Sequence, residues 1–306
     1  MKNLPKTVAE TSVAPAAELL SQSLKVTQVN IDHFSSKVEQ FGQCPFYSGA
    51  TWWSPRFAEV ANHLETSSIF QWIPLSMTFR ALDIGAGGGR WSLSLVNTVG
   101  AITAIEPSDA FETLSERLSG FKNVRCVHQS FEEFRDEEPY DLAIISGVLM
   151  YILEPDHLKS FLAKAVEMLK DSGYIVLREP VVARGDRVKL GRVYKKSWSR
   201  SELEKYKYLE IVRPKTSYVS ICEGLGLRNV AQFASHAPVI KDPMLGIRIL
   251  RDLYDRLNER FVSMDNIRYL RIAHRLLRKP YLWLGMLLNK QTMTIMIFQK
   301  RTVAGR

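Results

Sequence analysis

The chain has 306 residues, of which 46% are hydrophobic and 24% are charged. These fractions are close to those of globular proteins and exclude a fibrous, disordered or membrane-embedded class. A formal net charge of +9 favours contact with polyanions, but we expect no nucleic-acid partner because no RNA-binding module is evident.

Cysteine usage and the ends of the chain bear on compartment. Cys44, Cys126 and Cys222 show no C-x-x-C spacing, so neither a disulfide framework nor a metal site is predicted. Residues 1–23 lack the apolar segment of a secretory signal. The apolar run at 281–288 is shorter than the roughly 20 residues that span a bilayer. We therefore expect a cytoplasmic protein.

The first 78 residues are predicted to precede the main domain. Residues 1–23 have the composition of a flexible leader, and residues 24–78 are predicted to form a helical cap. An aromatic segment, 44–55, interrupts the cap, because Pro45, Gly49 and Pro55 break regular structure. Its aromatic side chains are too apolar to remain in water, so we expect this segment to pack over a site.

From Phe79 short apolar runs alternate with amphipathic helical stretches. This alternation is typical of βαβ units around a doubly wound parallel sheet, and it predicts an α/β fold. The predicted strands are 80–84, 101–106, 124–128, 142–146 and 174–178, and the predicted helices are 91–96, 110–118 and 156–169.

The pattern changes beyond Pro180. Residues 184–215 are rich in Lys, Arg and Tyr and are predicted to form loops with a short helix. A helix at 217–226 and strands at 229–234 and 292–300 are predicted to follow. Residues 241–290 carry a helical period with a basic polar face, and are predicted as an insertion between the last two strands.

The most informative motif is the glycine-rich segment that follows the first predicted strand. Gly85, Gly87 and Gly89 allow a tight turn and let a ligand approach without meeting a Cβ atom. Asp83 can brace this loop or accept hydrogen bonds from a ligand ammonium group. About 20 residues further on, Glu106 stands where a carboxylate can accept hydrogen bonds from both hydroxyls of a ribose.

A nicotinamide-dinucleotide site is the first alternative. Its fingerprint is G-x-G-x-x-G, but Arg90 occupies the position of the third glycine in this chain, which disfavours that site.

Residues 79–180 resemble the class I S-adenosylmethionine-dependent methyltransferases, whose first motif is D/E-x-G-x-G-x-G. The resemblance implies a Rossmann-like seven-stranded sheet with an antiparallel last strand and S-adenosylmethionine as cofactor. It assigns the core domain to residues 79–240 plus 291–302. Ser130 departs from the acid that many members carry near the adenine. The implied cofactor contacts are Asp83, Gly85, Ala86, Gly87, Glu106, Pro107, Gln129, Ser130, Phe131 and Ser146.

The chemistry implied by this resemblance requires an aligned acceptor. The sulfonium already makes the methyl group electrophilic, so positioning supplies most of the catalysis, and an oxygen or nitrogen acceptor also needs a base. Tyr151 and Glu179 are the candidate acid/base residues, whereas His157 is interpreted as a solvated residue of a first helical turn. The candidate acceptor contacts are Tyr47, Trp52, Trp53, Met150 and Arg184.

The favoured function is O- or N-methylation of a small molecule of specialised or envelope metabolism. C-methylation of an isoprenoid or lipid-like acceptor stays open, as does a non-enzymatic scaffold. Methylation of RNA or protein is disfavoured because no N-P-P-Y tetrad follows the fourth strand, where Ser146-Gly147-Val148-Leu149 stands. The basic segment 241–290 is predicted to cover the acceptor pocket, with a homodimer face or peripheral membrane contact as the alternatives.

Overall fold

The structure, a computed structural model, describes residues 55–192, 207–235 and 263–302. The predicted leader 1–23, most of the predicted cap and the segment 236–262 lie outside the described residues. Tyr47, Trp52 and Trp53 lie there as well.

Strands and helices alternate along most of the described chain. The strands are β1 (Arg80–Ile84), β2 (Ala101–Ile105), β3 (Val124–Val127), β4 (Tyr140–Ser146), β5 (Leu169–Val182), β6 (Arg187–Arg192), β7 (Lys207–Pro214), β8 (Leu227–Ala234) and β9 (Thr292–Lys300). The helices are α1 (Pro55–Phe70), α2 (Arg90–Leu95), α3 (Ala110–Leu118), α4 (Pro155–Glu167), α5 (Lys215–Gly224) and α6 (Ile267–Leu287). Short 3-10 turns occupy Leu149–Tyr151 and Met264–Asn266.

The nine described strands form one sheet, in which seven follow the order β3-β2-β1-β4-β5-β9-β8, and β7 with β6 extends it from the carboxyl end of β5. Strands β3, β2, β1, β4 and β5 are parallel, whereas β9 is antiparallel to both β5 and β8. The predicted α/β fold with an antiparallel last strand is therefore confirmed. The chain changes direction across the sheet between β1 and β4, and the carboxyl ends of strands at such a switch point usually form the ligand crevice.

The prediction of loops and a short helix for residues 184–215 is wrong where the structure describes them. Strands β6 and β7 pair antiparallel from Arg187↔Val212 to Arg192↔Lys207, and the carboxyl end of β5 pairs parallel with β7. The abundant Lys, Arg and Tyr residues concealed a period of two. Leu209 is buried and Ile211 is 9% exposed, as expected for the inward side of a strand.

Apolar residues on the two faces of the sheet form two separate cores. Ala143 and Ile145 pack with α4 and α5 on one face, whereas Leu142 and Ile144 pack with α1 and α2 on the other. Successive residues of a strand point to opposite faces. The same alternation places Arg178 and Glu179, which are adjacent near the carboxyl end of β5, on opposite faces of the sheet.

Helix α6 agrees with the helical period predicted for the second half of segment 241–290. It covers 21 residues and contains Pro280. Its inner side packs on α1, where Leu270 contacts the cluster formed by Val60, Ala61 and Leu64. In the three described stretches of chain, none of the helices has the length and apolarity needed to cross a membrane.

Candidate active site

The bend after β1 is formed by glycines in the left-handed region. Gly85 has a φ of 69° and Gly87 a φ of 54°, which glycine adopts without strain. A Cβ atom at Gly85 would lie 2.5 Å from Cγ2 of Val148, so the bend also packs closely against the loop after β4. A Cβ atom at Gly87 would meet no heavy atom within 4 Å. The Gly87 side of the bend therefore faces open space.

A cavity of about 230 Å³ opens beside this bend at the carboxyl ends of β1, β2 and β4. This is the crevice expected at the switch point of the sheet. Its wall combines apolar side chains with a few carboxylates and hydroxyls, as small-molecule sites do. Of the predicted residues, the wall contains Gly85, Gly87, Glu106, Pro107, Ser130, Phe131, Ser146 and Tyr151.

Glu106 joins the end of β2 to the bend. Its Oε2 accepts a hydrogen bond of 2.7 Å from the Gly87 amide, and its Oε1 accepts hydrogen bonds from the amide and hydroxyl of Ser108. Burial raises the pKa of this carboxyl, and the three donors act in the opposite direction. Because a carboxylate has about four acceptor positions, Glu106 retains capacity for a ligand hydroxyl.

Asp83 braces the loop rather than lining the cavity. Its Oδ2 accepts hydrogen bonds from the Ser92 amide at 3.1 Å and the Ser92 hydroxyl at 2.7 Å, which ties β1 to α2. Burial raises the pKa of Asp83 to about 6, against the stabilising effect of both Ser92 bonds. Within the described chain, three of the predicted cofactor contacts do not line the cavity: Asp83, Ala86 and Gln129. Ala86 instead donates its amide to the Ile105 carbonyl.

Phe131 lies in the wall on the side where the resemblance places an adenine. Its ring contacts the ring of Phe161 with a centroid separation of 4.8 Å and an interplanar angle of 57°. Ser130 also lines the cavity, and its hydroxyl accepts a hydrogen bond from the Glu133 amide. This side of the cavity therefore offers aromatic surface and one hydroxyl.

Tyr151 reaches the cavity from the 3-10 turn Leu149–Tyr151. The turn is held by its own backbone, since the Tyr151 amide donates to the Val148 carbonyl. Met150, in the same turn, is half-buried, and it does not line the cavity within the described chain. Of the two acid/base candidates, Tyr151 is thus the one whose residue borders the cavity.

Glu179 lies fully buried behind this turn. Its Oε1 accepts hydrogen bonds from the Val148 amide at 2.9 Å and the Leu149 amide at 3.0 Å. Burial raises the pKa of Glu179 to about 7, although these amides favour the ionised form. In the described residues, Glu179 Oε2 has no hydrogen-bond partner. The carboxyl group thus fixes the segment that carries Tyr151.

Arg184 lies in the exposed turn between β5 and β6. Its amide and that of Ala183 donate to Oδ1 of Asn289, which joins this turn to the segment after α6. Within the described chain, its side chain is not part of the cavity wall.

Several wall residues were missed at the level of sequence. His157, at the start of α4, lines the cavity and its Nε2 lies 3.0 Å from Oε1 of Glu132. Ser108 and Phe161 also line the cavity. The signal for Ser108 was its place two residues after Glu106. The approach of His157 to Glu132 depends on the start of α4 meeting the turn after β3 in space, which no local pattern encodes.

Parts of the sequence and of the fold are similar to known proteins. A protein-family model described as a methyltransferase domain matches residues 81–173. Phosphoethanolamine N-methyltransferase 1 of Triticum aestivum is 28% identical over 103 residues, which cover 32% of this chain and 20% of that protein. This chain therefore spans about a fifth of the length of that relative.

Two of the similar solved structures are complexes of one protein, DhpI. The DhpI–SAM–HEP complex has a TM-score of 0.52 at 10% identity, and the alignment covers 69% of this chain and 93% of that chain. The DhpI–SAH complex has a TM-score of 0.51 at 12% identity, with coverage of 68% and 91%. At these identities the similarity is one of fold.

Proposed function

We propose, on the premise that residues 81–173 form an S-adenosylmethionine-dependent methyltransferase domain, that this chain methylates an oxygen or nitrogen atom of a small molecule. In this proposal the core domain is 79–240 plus 291–302.

One observation carries this proposal. The open side of Gly87 and the carboxylate of Glu106 meet on a single cavity wall, joined by the 2.7 Å hydrogen bond between them. A ligand lying along the bend meets backbone without a Cβ atom and, beside it, an acceptor for its hydroxyl groups. The residues present therefore fit an adenosyl group.

When bound, the cofactor supplies an electrophilic methyl group on a sulfonium. The chain has to exclude water, hold the ribose and present the acceptor in line. Glu106 accepts a hydrogen bond from a ribose hydroxyl, and Phe131 with Phe161 provides apolar surface for the adenine base. Because the cavity wall is largely apolar, it also lowers the water content around the reacting atoms.

We propose that Tyr151, which borders the cavity, acts as the base: its phenolate form accepts the proton that the acceptor loses. Glu179 acts as a positioning residue, since its carboxylate binds the amides at the start of the Tyr151 turn. Met150, Arg184 and the aromatic residues Tyr47, Trp52 and Trp53 remain candidate acceptor contacts.

An amine acceptor is supported by the name of the wheat relative, phosphoethanolamine N-methyltransferase 1. The alternatives are a hydroxyl acceptor, a carbon acceptor of isoprenoid or lipid-like character, RNA or protein, and a scaffold without activity.

Two measurements on the full chain separate these functions. Calorimetric titration with S-adenosylmethionine and S-adenosylhomocysteine should show binding, whereas an absence of heat would leave only the scaffold. Incubation with trideuteromethyl-labelled cofactor and separate panels of amines, phenols, isoprenoids, RNA and proteins, followed by mass spectrometry, identifies the methylated atom. Labelling confined to RNA or protein would overturn the small-molecule assignment.

A further inference from the structure

Helix α6 has an unusual composition for a helix on the surface of a globular domain. Its 21 residues include Arg268, Arg271, Arg275, Arg278 and Lys279 but no aspartate or glutamate. Such a helix has no opposite charges of its own with which to pair. Its charge balance therefore has to come from its surroundings.

The inner side of α6 is fixed to the domain. His274 lies 3.2 Å from both the Ser68 hydroxyl and the Ser235 carbonyl oxygen. The Arg278 guanidinium lies 4.1 Å above the ring of Phe233. Leu270, His274, Arg278 and Leu282 are all buried. The orientation of α6 about its own axis is therefore set, and so is its outer side.

The outer side carries a band of exposed apolar residues. With about 3.6 residues per turn, spacings of three, four and seven place these residues on one side of the helix. The band consists of Tyr269 (76% exposed), Ile272 (60%), Leu276 (68%), Trp283 (66%) and Leu287 (64%). Aromatic and aliphatic side chains at this exposure indicate a surface that another phase or molecule covers.

A row of cations runs beside this apolar band. Arg268, Arg271, Arg275 and Lys279 are exposed and recur at spacings of three and four residues, so they occupy one flank of the helix. Arg271 is also in contact with another helix, since its guanidinium lies 2.5 Å from Nε2 of His63 on α1. The outer side thus combines an apolar band with an adjacent positive flank.

We propose that this outer side of α6 docks on the surface of an anionic lipid bilayer. An interfacial helix inserts apolar and aromatic side chains to the level of the head groups and keeps its cations among the lipid phosphates. The charge pattern favours this occupant over a second copy of the chain. In a two-fold interface the same surface meets itself, and α6 has no acid to offer the cations of its partner.

The C-terminal end of α6 lies near the edge of the sheet where the cavity opens. Thr292, shortly after α6, pairs with Val181 at the carboxyl end of β5. Trp283 and Leu287 belong to this end of the helix. Docking through α6 would therefore bring the bilayer towards the edge of the sheet that carries the cavity.

The test is co-sedimentation of the full chain with vesicles, which does not depend on methyl transfer. Vesicles of phosphatidylcholine alone are compared with vesicles containing phosphatidylglycerol. We expect binding to the anionic vesicles, weakened by added salt, and binding at least about tenfold weaker to the neutral vesicles.

Two variants address the two parts of the surface. Leu276→Ser with Trp283→Ser removes apolar side chains, and Arg268→Gln with Arg275→Gln removes charge. Each should reduce the partition coefficient on anionic vesicles roughly tenfold or more. The matched controls are Met77→Ser, exposed elsewhere, and Lys122→Gln with Lys159→Gln, also exposed. Both controls should bind as the unchanged chain does.

The unchanged chain and the variants also distinguish membrane docking from a second copy of the chain. Unchanged melting temperatures show that the exposed substitutions leave the fold intact. Absence of binding to anionic vesicles at low salt overturns the proposal. A second result would also overturn it. If vesicle binding is absent, sedimentation velocity shows a dimer, and Leu276→Ser with Trp283→Ser dissociates that dimer, the outer side of α6 is a contact between two copies of the chain. Equal binding of the unchanged chain and the α6 variants would assign the membrane contact to another part of the chain.

Discussion

Glu106 Oε2 lies 2.7 Å from the amide nitrogen of Gly87, and this hydrogen bond joins the end of β2 to the bend after β1. The contact joins the residue that faces the open cavity to the carboxylate proposed to hold the ribose. Both partners are therefore suited to separate tests of the cofactor site.

Gly87→Ala should lower the affinity for S-adenosylmethionine at least about tenfold, because the new methyl group would project into the open space beside the bend that we propose for the cofactor. Calorimetric titration measures the change. The substitution also strains the backbone, since φ is 54°, at a cost of roughly 1–2 kcal/mol.

Gly185→Ala and Gly226→Ala separate strain from obstruction. Their φ values are 64° and 84°, and a Cβ atom at either would also meet nothing within 4 Å. Neither residue belongs to the cavity wall in the described chain. We expect a similar loss of stability with unchanged cofactor affinity. If all three variants bound the cofactor equally well, the bend would not be the site.

Glu106→Gln should weaken cofactor binding about 10- to 100-fold. The amide oxygen can still accept one of the existing hydrogen bonds, but a charged acceptor for a ribose hydroxyl is lost, at about 1.5–3 kcal/mol. Glu112→Gln, an exposed change on α3, is the control. Full retention of affinity by Glu106→Gln, with an unchanged melting temperature, would argue against ribose binding at this carboxylate.

The stability of the chain should depend on pH through Glu179. Its pKa is about 7 in the folded chain and 4.5 ordinarily. Between these values the folded state retains a proton that the unfolded state has released. Stability relative to Glu179→Gln should therefore fall as the pH rises from about 4.5 to 7, by about 3 kcal/mol in total, and level off above pH 7.

Urea unfolding of both proteins across this pH range measures the difference. A difference that stays constant from pH 4 to pH 8 would show that the Glu179 carboxyl titrates normally. In methyl transfer, Glu179→Gln should change kcat less than Tyr151→Phe does, because Glu179 acts through the turn.

Glu65→Gln should destabilise the fold by about 3–5 kcal/mol, because the buried Arg90 and Arg178 would lose the carboxylate that lies between them. Arg178 Nε donates to Glu65 Oε1 at 2.9 Å, and all three side chains are buried. The control is Glu138→Gln. Glu138 pairs with Arg80 at 3.0 Å but is 76% exposed, so the loss should stay below about 1 kcal/mol.

Thermal and urea unfolding compare these two variants. Equal losses of stability would contradict the buried network as a determinant of the fold, because burial is the main difference between the two pairs.

The alternation of apolar runs with helical periods was sufficient to predict the sheet, since each βαβ unit is local in sequence. Residues 187–192 and 207–214 were not recognised as strands, because their polar composition hid the period of two. The α6 helix was predicted from its period. Which of its apolar and basic residues face solvent could be decided only once the side that packs on α1 was known.

The sequence alone determined the glycine bend and the position of Glu106. A bend with positive φ needs glycine at fixed positions, and one βαβ unit sets the distance to the next strand end. The tertiary structure decided what Arg178 and Glu179 do. Strand alternation sends these neighbours to opposite faces, one to Glu65, 113 positions away, and the other to Val148, 31 positions away. Such partners are set by packing, because nothing local in the chain brings them together.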